Sequence, residues 1–244
     1  MKTLLTLVFL CAAMPAFADS AVSGTPSASA STPSLRPVDL LIMQTEDYLA
    51  FHPDQQFRLR GSEALRAGRL EEARIHFQRG ARYADKLSQA ALAEMWWEGR
   101  GGPQDRAMGY IWMDLAAERG TPHLLTMRER YWSQMDVVER ARATNEGAAL
   151  QSEYQDAIAK PRLAAQLRRG MSKMTGSRAG VASRTEVCAG ATASGSCAHW
   201  VDASDYYATH HWQPDAYWRM QEQLLRGLGE ATPQADVGPL EPAR

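Results

Sequence analysis

Displacing the chain against itself by 36 residues lays Ala73 on Gly109, Gly80 on Ala116, Ala81 on Ala117 and Ala84 on Gly120. Four small residues meeting at one offset, within the period range of helix-turn-helix repeats, point to stacked helical hairpins. Small side chains are needed where helices of adjacent hairpins cross, because a large one would hold the backbones apart. A single hairpin cannot bury its apolar face alone, so neighbours must stack. Between Val38 and about Met174 apolar residues recur at helical spacing, as in Leu65, Leu70, Ala73 and Phe77, then Leu87, Ala91 and Met95. Breakers interrupt the pattern at Pro53, Gly68, Gly99 to Asp105, Gly120 to Pro122, and Pro161.

The residues around these turns resemble a known pattern. Gly61, Gly68, Ala73 and Gly80 are spaced as in a tetratricopeptide repeat. The next unit is similar to a Sel1-like repeat: Ala84, then Leu92, Ala93, Trp96, Gly99, Gly101 and Asp105, then Gly109, Trp112, Ala116, Ala117 and Gly120. The resemblance spans Phe57 to Tyr131, with Ser88 and Gly109 where the family more often carries Ala. It implies an all-α fold, a short solenoid of hairpins, with the two glycines turning the chain between helices and Asp105 capping the second one. It also implies a protein–protein interaction scaffold rather than an enzyme.

The ends of the chain read differently. Residues 1–18 have the form of a secretory signal peptide, with Lys2, an apolar run, and Ala16-Phe17-Ala18 before the cleavage point at Asp19. Residues 19–37 are Ser, Ala, Thr and Pro with few large apolar side chains, and are expected to be a disordered tether. Cleavage removes Cys11 and leaves Cys188 and Cys197, an even count that an oxidising compartment favours as one disulfide over a redox pair or a metal site. The expected location is the periplasm or the exterior. The remaining divisions are repeats over 38–134, a helical extension over 135–175, and a disulfide loop, aromatic-rich segment and C-terminal helix over 176–230. An extended tail over 231–244 follows. A long helical stretch is expected from Asp136 to about Lys160, with Pro161 opening another helix. Pro214 is expected to open the last helix, and Gly227 and Gly229 to end it.

Composition narrows the function classes. The chain has 27 basic and 28 acidic residues, so no bulk field draws it to nucleic acid. A mean hydropathy of −0.40 excludes a polytopic membrane protein. Trp200, Tyr206, Tyr207, Trp212, Tyr217 and Trp218 crowd into nineteen positions. They read first as the core of a segment poor in aliphatics, and second as a surface for stacking envelope glycan. His199, His210 and His211 lie among Asp202, Asp205 and Asp215 without the spacing of a metal or hydrolase motif. Glu71 and Glu72 read as first-turn residues favouring a helix N-terminus. No cofactor or metal is called for.

The expectation is therefore a scaffold or adaptor whose concave face holds a peptide or a partner protein in apolar pockets rimmed by Arg. Trp97, Arg106, Tyr110 and Met113 are the expected contact residues, since they fall outside the small-residue packing positions. The partner's identity is not readable, and homo-oligomerisation stays open.

Overall fold

The computed structural model describes residues 35–174, 186–189 and 196–230. The expected signal peptide, most of the tether, and the tail lie outside the described residues.

Two short helices, α1 (Pro37–Ile42) and α2 (Glu46–Leu49), lead into three antiparallel hairpins. The first pairs α3 (Pro53–Arg66) with α4 (Leu70–Ala81), and the second pairs α5 (Lys86–Glu98) with α6 (Arg106–Ala117). The third joins α7 (Pro122–Gln134) to α8 (Val137–Tyr154). The fold is an all-α stack of helical-repeat hairpins. The second helices α4 and α6 begin and end 36 residues apart, as the self-match requires. Ala84 and Gly120 share a left-handed backbone, with φ of 63° and 72°.

Side chains at the turns fix the helix ends. Asp85 caps α5 by accepting from the Ser88 amide, and Asp105 caps α6 by accepting from the Met108 amide at 2.9 Å. Gly99 ends α5 in the left-handed conformation that suits glycine. A Cβ on Gly109 would lie 3.0 Å from the Ala93 carbonyl oxygen and from the Trp97 nitrogen. That approach is what lets α6 press against α5.

Ala73, Phe77, Leu92, Ala93, Met95, Trp112, Ala116 and Ala117 bury together as the core of the stack. Gly68 and Gly120 sit at turn positions, and Trp96 lies under the Arg74 guanidinium at 3.6 Å. The third hairpin persists although its motif fades. A capping box between Asp136 and Glu139 starts α8, and Ala143 and Gly147 supply the small residues facing α6.

After the stack, the long helix expected from Asp136 breaks at Gln155, whose ψ is 156°. The next helix, α9 (Asp156–Met174), opens five residues before Pro161 and carries that proline inside it. The cause is tertiary. The Asp156 amide donates to the Glu118 carboxylate at 3.0 Å, and the Asp156 side chain is held by Arg119 and Lys86.

Part of the expected loop is a two-stranded ladder. Strands β1 (Glu186–Cys188) and β2 (Trp200–Asp202) pair antiparallel, with Val187 opposite Val201. The disulfide Cys188–Cys197 closes the connection. Two single-turn helices, α10 (Ala203–Tyr206) and α11 (Thr209–Trp212), precede α12 (Pro214–Glu230). Pro214 opens α12 as expected, but the helix continues through Gly227. Among the described residues no helix is long and apolar enough to cross a membrane.

Candidate functional site

In a stack of hairpins, the first helices form one continuous face. Here that face, made by α3, α5 and α7, is covered by the chain's own α12. Tyr217 of α12 donates to Asp54 of α3 and accepts from Gln55 Nε2 at 2.8 Å. Leu225, three turns further on, is buried in the core that also holds Leu92 and Leu124. The groove expected to receive a partner is thus occupied in cis, which corrects the simple picture of an open concave face. An amphipathic helix with Tyr217, Met220, Leu224 and Leu225 on one side must bury that side, and this face is the apolar surface available.

Around α12 lies an ion cluster of unusual burial. Lys86 is 2% exposed, and its ammonium contacts the Leu115 carbonyl at 2.8 Å, Glu118 at 2.8 Å and Asp156 at 3.0 Å. Burial pulls the Lys86 pKa down from its ordinary value, and Asp156 opposes that effect. Burial works to raise the Asp156 carboxyl, but Arg119 and Lys86 outweigh it and hold it well below the usual carboxylate range. Arg119 grips Asp156 with two bonds of 2.7 and 3.0 Å and lies against the Trp218 ring.

The residues expected to contact a partner divide. Met113 is 1% exposed and belongs to the core, so it offers no surface; its place in the helix pattern resembles an outward one, but α7 covers it. Trp97, Arg106 and Tyr110 come together with α7 and α8 in one half-buried layer. Arg106 lies over Trp97 at 4.4 Å, Trp97 stacks on Tyr131 at 4.0 Å, and Tyr110 meets Trp132 at 5.0 Å. Arg140 covers the other end of the layer, over Trp132. Next along the chain, Val137 and Val138 are 80% and 75% exposed. Sequence reasoning missed these valines, although two β-branched apolar residues in the first turn of a helix were a visible signal.

The C-terminal aromatics are mostly core. Tyr206, Trp212, Tyr217 and Trp218 are buried, and Trp200 alone of the six stands well exposed, at 63%. The surface that a glycan-stacking reading requires is therefore not formed. His210 and His211 converge on Asp39, at 3.1 and 3.3 Å to the same oxygen. These three side chains could hold a metal ion by geometry alone. Arg36, however, already donates to both oxygens of Asp39, which places a positive charge where a cation would sit. Burial and the neighbouring His210 lower the His211 pKa to about 4, so its ring is neutral at pH 7. Asp205 pairs with Arg36 and Asp215 stays in the first turn of α12, so the expected His210–Asp205–Asp215 grouping does not assemble as one site. Asp39 was not legible as a partner of these histidines, being 171 residues away.

Hairpins of 36-residue period, turned by Gly99 and Gly101 and packed through small residues, define a helical-repeat stack of Sel1-like pattern. Compared with known proteins, the chain matches no family model and no curated protein. Among solved structures it is similar to a protective antigen present in uropathogenic Escherichia coli strains that displays an SLR fold. The identity is 17%, over 54% of this chain and 27% of that one, with a TM-score of 0.38. The match thus spans about a quarter of that protein's length.

Proposed function

We propose that the chain is a non-enzymatic interaction scaffold of the bacterial periplasm, binding an amphipathic helix or peptide segment of a partner protein. The reading is supported most by one surface: the layer of Trp97, Arg106, Tyr110 and Trp132, continued by the exposed Val137 and Val138. Half-buried aromatics under guanidinium groups contribute large contact area at low entropic cost, and such residues are enriched in binding hot spots. Arg106 and Arg140 are held in place by the Gln134 and Trp132 carbonyls, at 2.9 and 3.1 Å, so the layer is preorganised. The Cys188–Cys197 disulfide supports an oxidising compartment.

The test is site-specific photo-crosslinking in the periplasm from position 138, compared between the parent chain and a V137D variant. Aspartate at the first position of a helix favours its N-terminus, so V137D should fold. The expected result is a discrete crosslinked partner that V137D and Y110A both weaken. An unchanged crosslinking pattern in both folded variants would remove this surface from the function. A crosslink to a second copy of the chain would show the surface to be a self-association site instead.

A further inference from the structure

A cavity of about 410 Å³ lies where α12 crosses the starts of α3 and α5. Its walls combine an apolar lining (Leu87, Trp218, Leu224 and Leu225) with charged and amide groups that include Asp54 and Gln221. Asp54 is 1% exposed. Its Oδ2 accepts from Tyr217, but its buried Oδ1 has no hydrogen-bond partner among the described residues. The buried Nε2 of Gln221 likewise has none. An acceptor and a donor thus border one apolar cavity, each lacking a bond that burial makes costly to leave unmade.

The charges around the cavity identify what is missing. Arg58 is paired with Asp85, and Arg119 with Asp156. Lys86 is paired with Glu118 and Asp156, and Lys160 reaches Asp156 and Glu222. Every cation in this group has a carboxylate, and five carboxylates (Asp54, Asp85, Glu118, Asp156, Glu222) face four cations. The surplus negative charge is Asp54, the carboxylate that also carries the unused oxygen. Burial, with Asp85 next in effect, pushes the Asp54 carboxyl up to about 7, which is the response of a buried acid lacking a counter-ion.

We propose that this cavity is a binding site for a small organic monocation bearing an ammonium group, an adjacent carbonyl or hydroxyl, and an apolar body. The ammonium donates to Asp54 Oδ1 and neutralises it, and the carbonyl or hydroxyl accepts from Gln221 Nε2. The apolar body lies on Leu87, Leu224 and the Trp218 ring. An aminoacyl group with an aliphatic side chain has this chemistry, whether as a free amino-acid amide or as the N-terminus of a peptide. The site is separate from the Trp97–Val138 surface, so neither proposal depends on the other.

Calorimetric titration of the whole chain tests it, with leucinamide, the tripeptide amide Leu-Gly-Gly-NH2, and N-acetyl-leucinamide, which lacks the charge. Leucinamide should bind at least ~tenfold more tightly than its acetylated form, and D54N should lose that preference. L224W, which fills the cavity without touching a charge, should abolish binding; thermal melting confirms that both variants fold. A tripeptide that binds as well as leucinamide assigns the site to peptide N-termini, and one that fails to bind assigns it to free small molecules. Equal binding of the acetylated probe, undiminished binding by folded D54N, or no heat with any of the probes at millimolar concentration would overturn the proposal.

Discussion

Replacing Gly101 by alanine tests whether the two-glycine turn acts as a packing element between hairpins or only as a flexible link. Gly101 has φ of 77°, and a Cβ there would lie 2.7 Å from both the carbonyl carbon and the oxygen of Leu70, at the start of α4. Gly120 provides the control, since it has φ of 72° and nothing within 4 Å of the added atom. Left-handed backbone costs a non-glycine residue about 1–2 kcal/mol, and the stiffer unfolded chain returns about 0.4–1 kcal/mol. G120A should therefore cost about 1 kcal/mol. In G101A the same strain is joined by displacement of backbone atoms that have no rotamer to escape into, an overpacking cost of about 1–3 kcal/mol. The total is about 2–4 kcal/mol. For a domain of this size it corresponds to a Tm lowered by about 6–12 °C, against about 2–4 °C for G120A. Urea unfolding followed by circular dichroism and tryptophan fluorescence would read both variants, with the slope m confirming that the same surface is exposed. If G101A lies within about 0.5 kcal/mol of G120A, the turn does not pack on α4 as described.

Two further outcomes follow from the buried charges. K86M leaves Glu118 and Asp156 facing each other without their central cation, and should destabilise by about 3–5 kcal/mol in urea titrations; a near-neutral result would mean that Arg119 and Lys160 suffice. His211 takes up its proton near pH 4 when folded and near 6.5 when unfolded, so the unfolded chain binds the extra proton between those values. Its contribution to stability is complete above pH 6.5 and is withdrawn as pH falls toward 4, by about 3 kcal/mol at most. Long-range nitrogen–proton NMR should find this imidazole neutral at pH 5, and H211Q should flatten the stability slope; a ring titrating near 6.5 would refute the assignment.

What was legible in the sequence was local. The 36-residue self-match, the left-handed turns at Gly99 and Gly120, and the Asp105 cap are properties of neighbouring residues, and the structure follows them closely. The break at Gln155 was not legible, because Glu118 and Arg119 impose it from a different helix. Nor was the burial of Met113, which depends on α7 lying over it. Within the candidate surface, Trp97, Arg106 and Tyr110 were identified from their place outside the small-residue positions. Their stacking on Tyr131 and Trp132 needed the third hairpin, whose motif had faded. Asp54 gave no signal at all. It is an ordinary first-turn acid until Tyr217 arrives from 163 residues away.

The position of α12 also changes what kind of object this repeat protein is. Units of an open stack touch only their neighbours, and one can be added or lost at modest cost. Here a single helix is anchored at one end to α3, through Tyr217 and Asp54, and reaches the core beside α7 at the other, through Leu225. Its length is thereby matched to the span of the hairpins it crosses. Inserting or deleting one 36-residue unit would move one anchor away from its partner and expose the apolar side of the helix. The repeats retain the sequence pattern of a modular array, but their number is set by a strut that spans them.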